Sequence, residues 1–197
     1  MTQFWKPAKV TEKSDNIIAR MAAGVAKVVL KCQDAMETQQ LDLSRCLLES
    51  FPLAVYHLVR NVSLIKCNLS HNKLKLLDSK FSKNFDALTE LNISHNELHK
   101  LPENINLLQE LVNLDASQNK LNTIPASLYN LEKLQTLDLS DNDISVLDVE
   151  KLCNMPALRK VSLMGNPLND ELQQKLATTA KFELLLPVAD ENFSDVD

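Results

Sequence analysis

Serine and histidine stand side by side in this chain, and together they are the raw material of nucleophilic catalysis. Ser44, Ser70, Ser94, Ser117 and Ser140 immediately precede Arg45, His71, His95, Gln118 and Asp141. A serine becomes a nucleophile only beside an oriented base, with donors placed for the developing oxyanion. None of these serines sits in a Gly-x-Ser-x-Gly elbow. They follow a fixed period instead, which a single active site does not require. His71 and His95 suggest metal ligation, because equivalent positions on neighbouring strands lie ~4.8 Å apart. The next residue of that column is Gln118, whereas zinc takes three or four ligands. These residues predict no catalytic group, no cofactor and no metal site.

The period itself is set by asparagine. Asn72, Asn96, Asn119, Asn142 and Asn166 recur at steps of 24, 23, 23 and 24 residues. Each has apolar residues at −8, −5, −3 and +2, most clearly in Leu88-x-x-Leu91-x-Ile93-x-x-Asn96-x-Leu98-x-x-Leu101-Pro102. Self-similarity at such a period marks a solenoid. The apolar residues at −5 and −3 alternate as in a strand and point inward, so each repeat adds one short strand to a parallel sheet. The asparagine amide carries donors and an acceptor for the bent backbone after the strand, where backbone groups would otherwise be buried and unpaired. In the first repeat Cys46 stands at the asparagine position, and its return segment, from Pro52 to Asn61, carries about three extra residues.

A solenoid needs covers at its ends, because terminal repeats expose an apolar cross-section. Residues 1–13 read as a disordered N-terminus. Residues 14–37 read as an amphipathic capping helix with Ser14 as N-cap and Asp15 in the first turn. Its stripe is Ile17, Met21, Val25, Val28, Cys32 and Met36, widened by Ile18, Ala22 and Val29, with Arg20, Lys27, Lys31 and Asp34 opposite. Six repeats fill residues 38–167. Residues 168–187 close the stack with a short helix capped by Asp170 and a strand in which Phe182, Leu184 and Leu186 alternate. Residues 188–197 read as an acidic disordered tail, in which Ser194 precedes Asp195 and Asp197 as an acidophilic kinase would require. The predicted fold class is α/β: a repeat solenoid with a parallel sheet on its concave face, a helix cap before it and a helix-and-strand cap after it.

Composition narrows the setting. The 197 residues include only two glycines, so no phosphate-binding loop can be assembled. No apolar run approaches the ~20 residues that span a bilayer, and the first residues lack a signal-peptide core. Cys32, Cys46, Cys67 and Cys153 are far apart and read as reduced thiols of a cytoplasmic or nuclear protein. The net charge of −5 divides unevenly: residues 1–83 hold 13 Lys/Arg against 7 Asp/Glu, and residues 84–197 hold 8 against 19. The acidic balance and the lack of aromatics interleaved with basic residues argue against nucleic acid.

The frame resembles the intracellular leucine-rich repeats of the 23-residue kind found in Ras-pathway scaffolds and related adaptors. Over roughly residues 17–187 the chain is similar to a small intracellular member of that family. The stretches that carry this are Leu41-Asp-Leu-x-x-Cys46, Ser50-Phe51-Pro52, Arg60-Asn61-Val62-Ser63, Met155-Pro156-Ala157-Leu158-Arg159 and Asn166-Pro167-Leu168-Asn169. The resemblance implies a protein-binding surface without catalysis: a scaffold, or a regulatory subunit of a signalling enzyme. A different class of reading has the first helix docking the protein on a membrane surface. The expected partner site is one concave patch of Glu90, Asn92, His95, Asp115, Gln118, Asp138 and Asp141, suited to a protein with a basic surface. The chain itself is expected to be a monomer. If the cysteines are reduced, thiol labelling under denaturing, non-reducing conditions adds four labels by intact mass; a product two labels short would show a disulfide.

Overall fold

Short apolar alternations and frequent turns dictate short strands here. The computed structural model describes residues 12–187, with side chains from residue 24 onward. Seven three-residue strands form one parallel sheet in chain order: β1 (Gln40–Asp42), β2 (Lys66–Asn68), β3 (Glu90–Asn92), β4 (Asn113–Asp115), β5 (Thr136–Asp138), β6 (Lys160–Ser162) and β7 (Glu183–Leu185). The central residues Leu41, Cys67, Leu91, Leu114, Leu137 and Val161 are buried and aligned in register. β7 pairs with β6, placing Leu184 beside Val161.

The chain returns along the opposite side through α2 (Leu53–Leu58), α3 (Ser79–Asn84), 3-10 turns at Ile105–Leu107 and Ala126–Asn130, and α4 (Val149–Cys153). The extra residues of the first return segment accommodate α2. Phe51, Tyr56, Phe81 and Phe85 form an aromatic cluster under α2 and α3, with edge-on contacts at 5.3 Å for Phe51–Phe81 and 4.9 Å for Phe81–Phe85. The Tyr56 hydroxyl donates to Asp78 Oδ1 at 3.2 Å, and the same carboxylate accepts from Lys80 N and Phe81 N as the N-cap of α3.

The asparagines hold the strand ends together. Asn96 Nδ2 donates to its own repeat at Ile93 O and to the preceding repeat at Leu69 O, each at 3.0 Å, while its Oδ1 accepts from Leu74 N. Asn119, Asn142 and Asn166 repeat this pattern one step further along. Asn72 serves the first repeat, accepting from both Cys46 N and Leu48 N. The tight bend requires a left-handed residue just before the asparagine position, and Arg45, His71, His95, Gln118, Asp141 and Gly165 all have φ between 52° and 66°.

The ends differ from expectation in detail. α1 (Glu12–Thr38) begins before Ser14, which therefore lies inside its first turn rather than capping it. Among the described side chains of α1, only Val28, Cys32 and Ala35 are buried against the core; Val25 and Met36, read as part of the stripe, are 65% and 57% exposed. A three-residue strand edge needs no wider face. Lys31 and Lys27, expected on the far side, follow the rim of β1: Lys31 Nζ is 3.1 Å from Asp42 Oδ2, and Lys27 Nζ donates to Arg45 O at 3.2 Å. At the other end, α5 (Asp170–Thr179) is capped by Asn169, which accepts from Leu172 N at 2.8 Å, so Asp170 is its first residue rather than its cap. The expected disordered tail 188–197, Ser194 and most of the expected disordered N-terminus lie outside the described residues.

All four cysteines are free, with Cys32, Cys67 and Cys153 buried and Cys46 half-buried. Burial pushes the Cys67 thiol well above its ordinary range, with the neighbouring Asp42 charge adding to the effect. Among the described residues, no helix is long and apolar enough to cross a membrane.

Asn119→Ala strands Leu98 N–H inside the stack and should cost ~1–3 kcal/mol. Leu137→Ala truncates a fully buried strand residue and should cost ~2–5 kcal/mol. Chemical denaturation reads both, and wild-type midpoints would exclude these positions from the buried ladder.

Candidate interaction surface

Strand residues that point away from the core form columns of polar side chains across the concave face. The sequence predicts an acidic patch there, and register brings its members close: Glu90 beside Asn113, Asn92 beside Asp115, and Asp115 beside Asp138. Much of the polarity is already engaged within the fold. Lys66 Nζ lies 2.8 Å from Glu90 Oε1, so Glu90 is a compensated charge rather than part of an acidic centre. Lys160 likewise pairs with Glu183 at 2.8 Å.

The column of Asp42, Asn68, Asn92, Asp115 and Asp138 has a local task that the sequence reading missed. Each Oδ1 accepts from the backbone N–H two residues later, at Ser44, Ser70, Ser94, Ser117 and Ser140. The hydroxyls of Ser94, Ser117 and Ser140 donate to the same oxygens at 2.6–2.7 Å. These Asx turns end the strands and lead into the left-handed residue. The serines are thus hydrogen-bond donors in turns, and the recurring Asx-x-Ser spacing was the available signal.

Asp115 and Asp138 each retain a second carboxylate oxygen outside that turn, and they sit directly across a strand pair. Like charges so placed repel. Asp141 accepts from Gln118 Nε2 and lies against Gly165, where a Cβ would collide with its Oδ1. No salt bridge to Asp115, Asp138 or Asp141 occurs among the described residues. The structure therefore brings Asp115, Gln118, Asp138 and Asp141 together, ties Asn92 into a turn, and assigns Glu90 to an ion pair.

His95 stacks on His71, with ring centroids 4.1 Å apart and planes 11° from parallel. Lone pairs lie in the ring planes, so near-parallel rings do not converge on one ion. Among the described residues, no group of three or more His, Cys, Asp and Glu side chains is arranged to hold a metal ion. Local desolvation, then His95 and Arg45, hold the His71 imidazole below its ordinary value.

Comparison with known proteins decides the family. Leucine-rich repeat models match residues 87–108 and 109–168. Leucine-rich repeat-containing protein 20 of mouse is 47% identical over 178 residues, which are 88% of this chain and 97% of the relative. The chain belongs to the leucine-rich repeat family. The human leucine-rich repeat-containing protein 20 is also 47% identical, over 86% of this chain and 95% of its own length. Among solved structures, a leucine-rich repeat protein of Leptospira interrogans superposes with a TM-score of 0.61 at 25% identity, over 82% of this chain and 46% of that one. Membership in this family supports a protein–protein interaction module.

The histidine stack sets a pH signature. A folded-state value below the unfolded one means that the unfolded chain takes up the proton first, so the contribution to stability is complete above the unfolded value and declines as pH falls through the window below it. NMR titration should place the His71 midpoint below that of a free imidazole, and His95→Gln should move it upward. An unchanged His71 midpoint in that variant would show that the stack does not couple the two rings.

Proposed function

We propose that this protein is a non-catalytic scaffold or adaptor that holds a partner on its concave face. Asp115, Asp138 and Asp141 would receive Lys or Arg side chains there, with Gln118 beside them. The observation that carries this reading is the pair of carboxylates facing each other across β4 and β5 with no ion-pair partner among the described residues. A partner's cation relieves that repulsion, and guanidinium or ammonium groups donate to the oxygens left free by the Asx turns. The serines are engaged in turns and the histidines in a stack, which favours binding over chemistry. Buried free thiols and the absence of paired cysteines support a reducing compartment, and we place the protein in the cytoplasm or nucleus on that ground.

The test uses charge removal that spares the fold. Asn replaces Asp naturally in this column at Asn68 and Asn92, so Asp115→Asn with Asp138→Asn keeps the turn acceptors; Asp141→Asn completes the set. The triple variant should fold with near-wild-type stability and lose the partners captured by proximity labelling with wild type. Capture by wild type should weaken with added salt. Partners retained by the triple variant but lost with Lys80→Glu and Lys83→Glu would move the interface to the return side.

A further inference from the structure

We propose that the partner on the concave face is an extended polypeptide segment with acidic side chains about three to six residues from its lysines or arginines, and that Arg45, His71 and His95 hold the acidic end. The inference rests on the reading that Asp115, Asp138 and Asp141 receive the partner's cations, and adds the opposite charge and its position. Arg45, His71, His95, Gln118 and Asp141 occupy one position in five successive repeats; all are exposed and share the left-handed backbone. The N–H groups of the first four donate to Ser70 O, Ser94 O, Ser117 O and Ser140 O, one repeat further on, at 2.9–3.1 Å. These bonds carry the register of the sheet into the turns. Side chains follow it, with His71 stacked on His95 and Gln118 donating to Asp141. The five residues therefore form a single line along the rim of the concave face.

The line changes sign along its length. It starts with a guanidinium and two imidazoles, and Lys27 Nζ, 3.2 Å from Arg45 O, adds a cation at that end. Beside it the strand column is neutral at Asn68 and Asn92, where β4 and β5 carry Asp115 and Asp138. Within residues 40–48, 66–74 and 90–98 the only carboxylates are Asp42, Glu90 and Glu97. Each is already in an ion pair, with Lys31, Lys66 and Lys120. Arg45, His71 and His95 form no ion pair among the described residues. Desolvation, then His95 and Arg45, disfavour the proton on His71, and a carboxylate seated on the set favours it.

Charge complementarity and length select the occupant. A strand spacing of ~4.8 Å puts Asp141 ~10 Å from His95, ~14 Å from His71 and ~19 Å from Arg45 along the line. An extended chain rises ~3.3 Å per residue, so these are separations of about three, four and six residues. A pattern one side chain wide and about six residues long matches a single extended segment. Guanidinium and imidazole N–H groups donate to its carboxylates at one end, and its ammonium or guanidinium groups donate to the aspartates at the other.

The test is fluorescence anisotropy with the full-length protein and three labelled peptides. The first carries two Glu, three Ser or Thr and two Lys in that order; the second has the same composition with the charges interleaved; the third replaces both Glu of the first by Gln. Wild type should bind the first roughly tenfold more tightly than either of the others. Its affinity should rise severalfold from about pH 8 to about pH 6, because seating a carboxylate on the imidazoles takes up protons. Gln118 already occupies this position at φ 54°, so Arg45→Gln with His71→Gln and His95→Gln suits the backbone and should fold with near-wild-type stability. That variant should bind the first peptide only as tightly as the third. No binding of the first peptide by wild type, equal binding of the first and second, or full affinity in the Gln variant would overturn the inference. Binding of the third peptide that survives Asp115→Asn, Asp138→Asn and Asp141→Asn would remove the carboxylate site, and this inference with it. A dimer in sedimentation velocity that the Gln variant dissociates would also overturn it, by giving the line to a second copy.

Discussion

Each repeat turns a corner after three strand residues, and the backbone it bends there is buried. That constraint governs the whole molecule, because unpaired N–H and C=O groups in a stack interior are too costly to keep. One asparagine amide per turn resolves it, bonding its own repeat and the preceding one at once. Leu69 O, for example, accepts from both Asn72 and Asn96. Register therefore follows from the side chains as well as the strands, and every outward column on the concave face inherits its alignment from this inner ladder.

The architecture was legible because its signal was repeated. Five asparagines in one frame, with leucines at strand spacing, specify a parallel sheet whatever the individual loops do. The return side was less legible. A proline and a few apolar residues are compatible with an α-helical turn as at Leu53–Leu58 or a 3-10 turn as at Ala126–Asn130, and loop length decides. The ends were harder still, since they occur once. Ser14 and Asp170 were reasonable caps by residue type, but neighbouring residues have equivalent side chains, and small differences in backbone path choose among them.

The concave patch was legible in location and misread in occupancy. Glu90 belongs there by register, yet Lys66 in the neighbouring strand neutralises it. Asn92, Asp115 and Asp138 share one position, and all three are first of all turn formers. What distinguishes the aspartates is the charge left after that task is done. A column can thus be structural along its length and functional over part of it.

Cys46 sets the first repeat apart from the rest of the stack. Its thiol donates only to Ser44 O, and the N–H groups of Cys46 and Leu48 both rely on Asn72. The first repeat takes side-chain support from the second, as each later repeat does from its successor, but with Cys46 in place of an asparagine it has no amide bonding within its own turn. In a quasi-one-dimensional array, stability is a sum of unit and nearest-neighbour terms, and a terminal unit with a weaker turn of its own opens first. Opening the first repeat leaves Asn72 still bonded to Leu69 O within its own turn. The molecule can therefore fray from its first repeat, with α1 attached, as a sub-global unit while the later repeats stay locked. Backbone amide exchange would be graded along the chain, fastest at the end that carries the long helix.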